Sequence, residues 1–472
     1  MHLFQLPPEL VYLVFEQIVR SREVRRALRI RTVSRQFKTY IDDSIFRIRL
    51  LRQHLISGRR IFRNSKASRE YVRSYIAYQI SRTTSTTSKL GRIRGAAEAL
   101  CGEDGNPGYE TVAACINALT FLAASNDRDS LILAPNAREE DDCSDEDLEA
   151  DLSVAAVYLG KQSYVRNLVA QNSQFHCIRS TIFGQAFFAA TLKGNVEMIK
   201  LLLSCSSQYR DEGILPVRQQ NQIIRWASFY GHQEAFDFAL DARPITLPEK
   251  QSDRRGDPHA SVLESSIHRI RSLQNYQRLA TILGPNSRVF KNHSCFTSPC
   301  GWLQRHASLG AAEMVRYFLA MGADPNHARC KPLLSAIKSD DEEIVRLLLE
   351  AGADPNMPPP PRSPLIYAVW IGNISIIRLL LEGITNVNEG DPPPIVLAIF
   401  KERLDIFRLL RDNGARLDTP ETGGWAMAVA QSHGLSSMID VLVSESVGLD
   451  TVLHTVECEQ WLRLSFSLWP EG

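Results

Sequence analysis

The sequence has no long apolar run: nowhere do the roughly 18–20 consecutive apolar residues needed to cross a membrane occur. It has almost no net charge, with 54 Lys and Arg against 53 Asp and Glu. No global field therefore draws it to nucleic acid or to an anionic lipid surface. Its nine cysteines are odd in number and follow no disulfide-like rhythm. The opening MetHisLeuPheGlnLeuProProGlu lacks the cationic flank and apolar centre of a secretory signal. The expectation is a reduced cytosolic or nuclear protein without a membrane partner.

Catalytic signatures are missing too. HisGluxxHis, GlyxSerxGly, a Walker loop and a dinucleotide fingerprint are all absent. GlyGluAspGlyAsnProGly at 102–108 spaces its glycines like a phosphate loop, but it carries two acids, lacks Lys and follows no strand, so it reads as a turn. His293, Cys295, Cys300 and His306 invite a zinc reading, yet a finger wants ligands paired two to four residues apart on each side. The expectation is no enzyme, no metal and no cofactor.

What is present is a repeat. GluMetValArgTyrPheLeuAlaMetGlyAlaAspProAsn (313–326) recurs as GluIleValArgLeuLeuLeuGluAlaGlyAlaAspProAsn (343–356). Val345, Leu348 and Leu349 lie at helical spacing, and Gly352 stops the helix where a left-handed residue is needed. A shorter helix with a small central residue precedes each: LysProLeuLeuSerAlaIle (331–337) before the second, SerProLeuIleTyrAlaVal (363–369) before the next. Ala336 and Ala368 are small because a neighbouring helix packs there. One such pair cannot bury its own apolar faces, so copies must stack.

These motifs resemble the ankyrin repeat: Thr-Pro-Leu-His-x-Ala, a glycine turn, then a Val-x-x-Leu-Leu helix ending in Gly-Ala-Asp-x-Asn. Anchoring on the helix valine finds Val165, Ile199, Phe236, Leu279, Val315, Val345, Ile377, Phe407 and Ile439, spaced by 34, 37, 43, 36, 30, 32, 30 and 32 residues. Glycines 160, 194, 231, 310, 372 and 434 precede most of these helices. Two proline runs, 357–361 and 391–394, read as stiffened finger tips.

The N-terminal stretch is a separate unit. LeuProProGluLeuValTyrLeuValPheGluGlnIle (6–18) is expected to be helical, with prolines at the entry and Leu10, Val14 and Ile18 in a stripe. A second helix carries Leu28, Ile30, Val33, Phe37 and Ile41, and AspAspSer (42–44) is expected to cap a short third bearing Ile45 and Phe46. Leu6, Pro7, Glu9, Leu10, Ile18, Val33, Ser34, Arg35 and Phe37 fall where an F-box asks for them, so the stretch resembles that family; the Trp often found near the motif's end is Phe46 here.

The combined expectation is an all-α chain. Residues 1–51 form a three-helix F-box, 52–125 a helical linker, 126–147 an acidic mobile loop, 148–447 an α-solenoid of about nine ankyrin repeats with short finger loops, and 448–472 a cap bearing Trp461, Leu464, Phe466 and Trp469. Ser144, followed by acids, has the look of an acidophilic-kinase site. The resemblance implies a substrate-recruiting subunit of a Skp–cullin–F-box (SCF) ubiquitin ligase. Leu6, Pro7, Leu10, Ile18, Val33 and Phe37 would hold the F-box together and dock the Skp adaptor. The array's concave face would bind an unknown protein, with Trp302, Arg305, Tyr367, Trp370 and Trp425 as contacts, since aromatic and Arg residues carry most interface energy. A scaffold without a ligase role is the competing reading. A nucleic-acid factor using the Arg-rich stretch around Arg20, Arg22, Arg25, Arg26, Arg29 and Arg31 is the third, against which solvated charge is the ordinary explanation.

Overall fold

The computed structural model describes residues 5–21, 35–48, 66–101, 111–133, 144–171, 175, 178–205, 215–241, 267, 269–283, 298–327, 329–356 and 363–447. These residues are helical apart from turns and one two-stranded antiparallel hairpin. The chain divides into two compact units, residues 1–244 without 228–231, and residues 245–470 with them.

The first unit opens with α1 (Pro8–Ser21) and α2 (Arg35–Arg47). Val11, Phe15 and Val19 recur every four residues on α1 and are buried, with Phe15 edge-on to Phe37 and stacked on Tyr40. The AspAspSer segment does not start a third helix: α2 runs straight through it. Ile41 and Ile45 keep one face buried across those residues, and that packing overrides the weak helix propensity of Asp and Ser. Phe46 then sits among Tyr71, Tyr75 and Tyr78 of α3 (Lys66–Arg82), and its carbonyl accepts from Gln79 Nε2 at 2.8 Å.

α4 (Lys89–Leu100) starts on Ser88, whose hydroxyl caps the Gly91 amide. α5 (Val112–Leu133) extends into the segment expected to be an acidic loop, so 126–133 are helical. The other end of that segment is helical as well. Ser144 and Asp147 form a reciprocal capping box that starts α6 (Asp145–Leu159). Acids expected in a mobile loop are instead placed in a first helical turn, where the helix dipole favours them; 134–143, between the two helices, lie outside the described residues. Further along α6, Asp151 is buried and pairs with Arg92 of α4 at 2.7 Å, while Ser180 Oγ donates to its other oxygen. Burial pushes the Asp151 carboxyl up, against the opposing pull of Arg92 and Ser180. Ser180 belongs to the hairpin, β1 (Arg179–Ser180) and β2 (Gly184–Gln185), so one polar cluster joins α4, α6 and the hairpin.

Helix pairs follow. α6 pairs with α7 (Gln162–Gln171), then come α8 (Ala186–Lys193) with α9 (Val196–Leu203) and α10 (Val217–Tyr230) with α11 (Gln233–Asp241). A Cβ on Gly194, which has φ of 73°, would collide with the His232 ring, so this turn needs glycine twice over.

In the second unit, α12 (Leu273–Leu283) precedes five pairs. They are α13 (Pro299–Leu309) with α14 (Ala312–Ala320), α15 (Pro332–Lys338) with α16 (Glu342–Glu350), α17 (Pro364–Ile371) with α18 (Ile374–Leu381), α19 (Pro394–Phe400) with α20 (Leu404–Asp412), and α21 (Trp425–Ser432) with α22 (Ser436–Ser444). Across both units the anchors Val165, Ile199, Phe236, Leu279, Val315, Val345, Ile377 and Phe407 are buried; Ile439 is half-buried, its place taken by Met438 and Leu442. Ala336 and Ala368 are buried, as the packing argument requires.

The pairs of the second unit are also tied by backbone bonds from side chains. Asn326 Nδ2 donates to the Gly352 carbonyl and its Oδ1 accepts from Asp354 N. Asn356 repeats this with Gly383 and Thr385, and Asn388 with Gly414 and Arg416. The asparagine ending each Gly-Ala-Asp-Pro-Asn type stretch thus closes the next loop.

Of the two proline runs, 357–361 lies outside the described residues. The other is not an exposed tip: Pro392, Pro393 and Pro394 are buried, and Pro394 fills the first turn of α19, where a missing N–H costs nothing. The turn at 102–108 and the C-terminal Trp461, Leu464, Phe466 and Trp469 also lie outside the described residues, as do Leu28, Ile30 and Val33.

Candidate functional site

The inner helices of the second unit share one register. Ala336, Ala368, Ala398 and Ala430 each stand nine residues before the outer-helix anchor, and all four are buried. Residues two and three beyond the alanine therefore reach the helix end, clear of the core. At these places stand Lys338, then Trp370 and Ile371, then Phe400 and Lys401, then His433. Lys338 is exposed and the others are half-buried.

They form a contiguous strip over four successive pairs. The Trp370 and Phe400 rings are nearly parallel, with 5° between planes and centroids 6.4 Å apart. Lys401 Nζ sits 4.0 Å from the Trp370 centroid, Lys338 Nζ 4.9 Å from that of Tyr367, and His433 meets Phe400 edge-on at 5.1 Å. Such ammonium–ring contacts contribute on the order of 0.5–2 kcal/mol, depending on how dry they are. Although Lys338 as a whole is exposed, partial desolvation of its ammonium holds it below the usual lysine range, with Lys331 adding to the effect.

The adjoining turns alternate in type. Gly310, Gly372 and Gly434 take positive φ, but in the intervening copies that role falls to Asp340 (φ 58°) and Glu402 (φ 54°). A left-handed conformation costs a non-glycine residue on the order of 1 kcal/mol. Here both acids reach the next copy: Asn373 Nδ2 donates to Asp340 at 2.8 Å, and Ser437 donates to Glu402 at 3.4 Å. Arg403 closes the remaining gap by donating to the Gly372 carbonyl at 3.0 Å. The turns beside the strip are stitched into a row, which fixes the spacing of the rings above them.

Residues 333–381 match the family model described as Ankyrin repeats (many copies). This stretch is ankyrin-repeat structure. No curated protein matches the chain. Ankyrin repeats are helical interaction modules for protein partners, and no catalytic family is indicated. Within the described residues no helix is long and apolar enough to cross a membrane.

Of the array residues read from the sequence as partner contacts, Trp370 lies in the strip. Tyr367 lies beneath Lys338 and is 6% exposed. Trp302 is 3% exposed and packs among Tyr276, His306 and Phe318, which leaves it little surface to offer. Its neighbour Arg305 is exposed. Trp425 is half-buried at the opposite end of its inner helix from the strip position, five residues before Ala430. Sequence reasoning missed Lys338, Phe400, Lys401 and His433; counting two and three residues past each central alanine finds them.

Of the zinc candidates, His293 and Cys295 lie outside the described residues. His306 replaces the small residue of its inner helix and is fully buried, its ring nitrogens directed at the carbonyls of Trp302 (2.8 Å) and Ile270 (3.0 Å). Among the described residues no three His, Cys, Asp or Glu side chains converge on one point.

On the N-terminal helices, Leu10 is 47% exposed, Leu13 60% and Val14 36%, on the side of α1 opposite its packed face. Pro7 is exposed, Leu6, Ile18 and Phe37 are half-buried, and Val33 lies outside the described residues.

Proposed function

We propose that the chain is a non-catalytic adaptor, the substrate-recognition subunit of an SCF-type ubiquitin ligase. In this reading residues 1–51 are an F-box that docks a Skp adaptor and, through it, a cullin. The helix pairs between 145 and 444 are all ankyrin-type repeats, about nine in number, whose inner-helix face binds the protein to be modified. Ubiquitin transfer belongs to other subunits, in the cytoplasm or nucleus.

The observation that carries the ligase reading is the apolar stripe on α1. Leu10, Leu13 and Val14 lie at i, i+3 and i+4, so they face one way, and they stay in water while Val11, Phe15 and Val19 pack inward. Exposing such a patch is unfavourable unless a partner covers it. The F-box motif residues around it, with the LeuPro and ValSerArgxPhe halves at the right separation, point to a Skp adaptor as that partner.

A scaffold without a ligase role is favoured by one observation. Phe46 and its ring of tyrosines lock α2 onto α3, as an N-terminal helical cap would. A pull-down with purified Skp adaptor decides between the two. The variant Leu10→Asp/Leu13→Asp changes exposed residues only, so it keeps its circular dichroism spectrum. Adaptor binding by the natural chain that this variant loses supports the ligase reading. No binding by either, with both folded, leaves the scaffold.

A further inference from the structure

The strip of lysines and rings has a chemistry more definite than a generic interaction surface. We propose that Lys338, Trp370, Phe400 and Lys401 form a docking track for an extended acidic peptide, one that lays an apolar or aromatic side chain on the rings between two carboxylates. This rests on reading the repeats as a partner-binding array and names the kind of partner they take.

Three features carry it. First, Trp370 and Phe400 occupy the same register on consecutive repeats, are half-buried and stack parallel to each other, so they form one aromatic element rather than two isolated side chains. Second, the ammonium groups are already drawn onto ring faces, Lys401 on Trp370 and Lys338 on Tyr367. Pre-positioned charges lose less conformational freedom when a carboxylate arrives. Lys338 makes no ion pair among the described residues. Third, the neighbouring carboxylates Asp340 and Glu402 bond only the uncharged Asn373 and Ser437, so they keep their charge and confine any negative group of a ligand to the two lysines.

Dimensions set the spacing in the ligand. Lys338 and Lys401 belong to inner helices two repeats apart. Both side chains lean onto α17, however, Lys338 over Tyr367 and Lys401 over Trp370. Those rings are three residues apart on one helix, with Cβ atoms about 5–6 Å from each other, which brings the two charges to roughly 10 Å. An extended chain advances about 3.3 Å per residue, so the matching carboxylates are about three residues apart. A single-stranded nucleic acid also stacks on aromatic rings beside lysines. A continuous polyphosphate, however, would have to run past Asp340 and Glu402, whereas a peptide places negative charge only at the lysines.

Fluorescence anisotropy on the full chain tests this with three labelled probes. They are a blocked peptide of about ten residues with a central Trp and glutamates about three residues apart, the same peptide with lysines for glutamates, and a short oligouridylate. The expected result is saturable binding of the acidic peptide alone, weakening as salt rises. Lys338→Glu/Lys401→Glu should reduce its affinity about tenfold or more, which is about 1.4 kcal/mol, and transfer preference to the lysine peptide. Salt dependence is read on the natural chain, so the test does not hang on the variant's folding. Tighter binding of the oligouridylate, or equal affinity for both peptides, overturns the acidic-peptide assignment. If Trp370→Ala still abolishes that binding, the array remains a partner surface with another ligand. If no probe binds and Trp370→Ala leaves natural partners in a pull-down unchanged, the track is not a binding surface at all.

Discussion

Replacing Leu348 by Ala puts the repeat packing to its most direct test. Leu348 is fully buried on α16, in line with Ile344 and Val345, whereas its neighbours Leu347 and Leu349 are half-buried. The change deletes three carbons, worth about 2–3 kcal/mol at roughly 0.8 kcal/mol per buried methylene. α16 packs against both α14 and α18, so the site cannot collapse by moving one helix. The cavity left behind should bring the total to about 2–5 kcal/mol. Urea unfolding followed by circular dichroism reads this as a lower midpoint at unchanged slope. Leu349→Ala is the internal control, because truncating a half-buried leucine should cost less than half as much. A loss under about 1 kcal/mol at Leu348, or equal losses at both leucines, would refute the assigned register.

The loop ladder makes Asn356→Ala cost about 1–3 kcal/mol in the same assay, since its side chain bonds the Gly383 carbonyl and the Thr385 amide and each bond is worth about 0.5–1.5 kcal/mol. Asp151→Ala strands Arg92 as a buried charge and should cost about 3–5 kcal/mol, read by thermal melting; an effect near zero would mean that water reaches the pair. Asp405 is held below the usual carboxylate range by its bonds to Arg403. A depressed carboxyl stabilises above its unfolded value near about 4 and loses that contribution as pH falls through its folded value. Asp405→Asn should therefore flatten the stability profile below about pH 4, by no more than about 0.5 kcal/mol after solvent screening.

Much of the second unit is legible in its sequence. Gly352 and the turn glycines at 310, 372 and 434 take the positive φ their positions demanded, and the anchors from Val315 to Phe407 are buried. Periodicity exposed them because each copy must solve the same packing problem against the next. Reading failed where a residue's neighbours come from elsewhere in the chain. AspAspSer at 42–44 has the composition of a helix start, yet α2 passes through it because Ile41 and Ile45 are held by distant side chains. The acids at 145–147 have the composition of a mobile loop, but a capping box makes them a helix start.

The candidate surface shows the same division. Sequence by itself determined that helix pairs recur, where they turn, and that Trp370 belongs to an inner helix, because local spacing and backbone sterics decide those matters. It could not separate Trp302, sealed among aromatic rings, from Trp370, which borders water, since both are tryptophans on inner helices. Nor could it set Lys401 over Trp370 or Asp340 against Asn373, pairs more than thirty residues apart in sequence. Burial and side-chain partnership are properties of the stacked whole. Only the tertiary structure, which chooses which faces meet, could decide them.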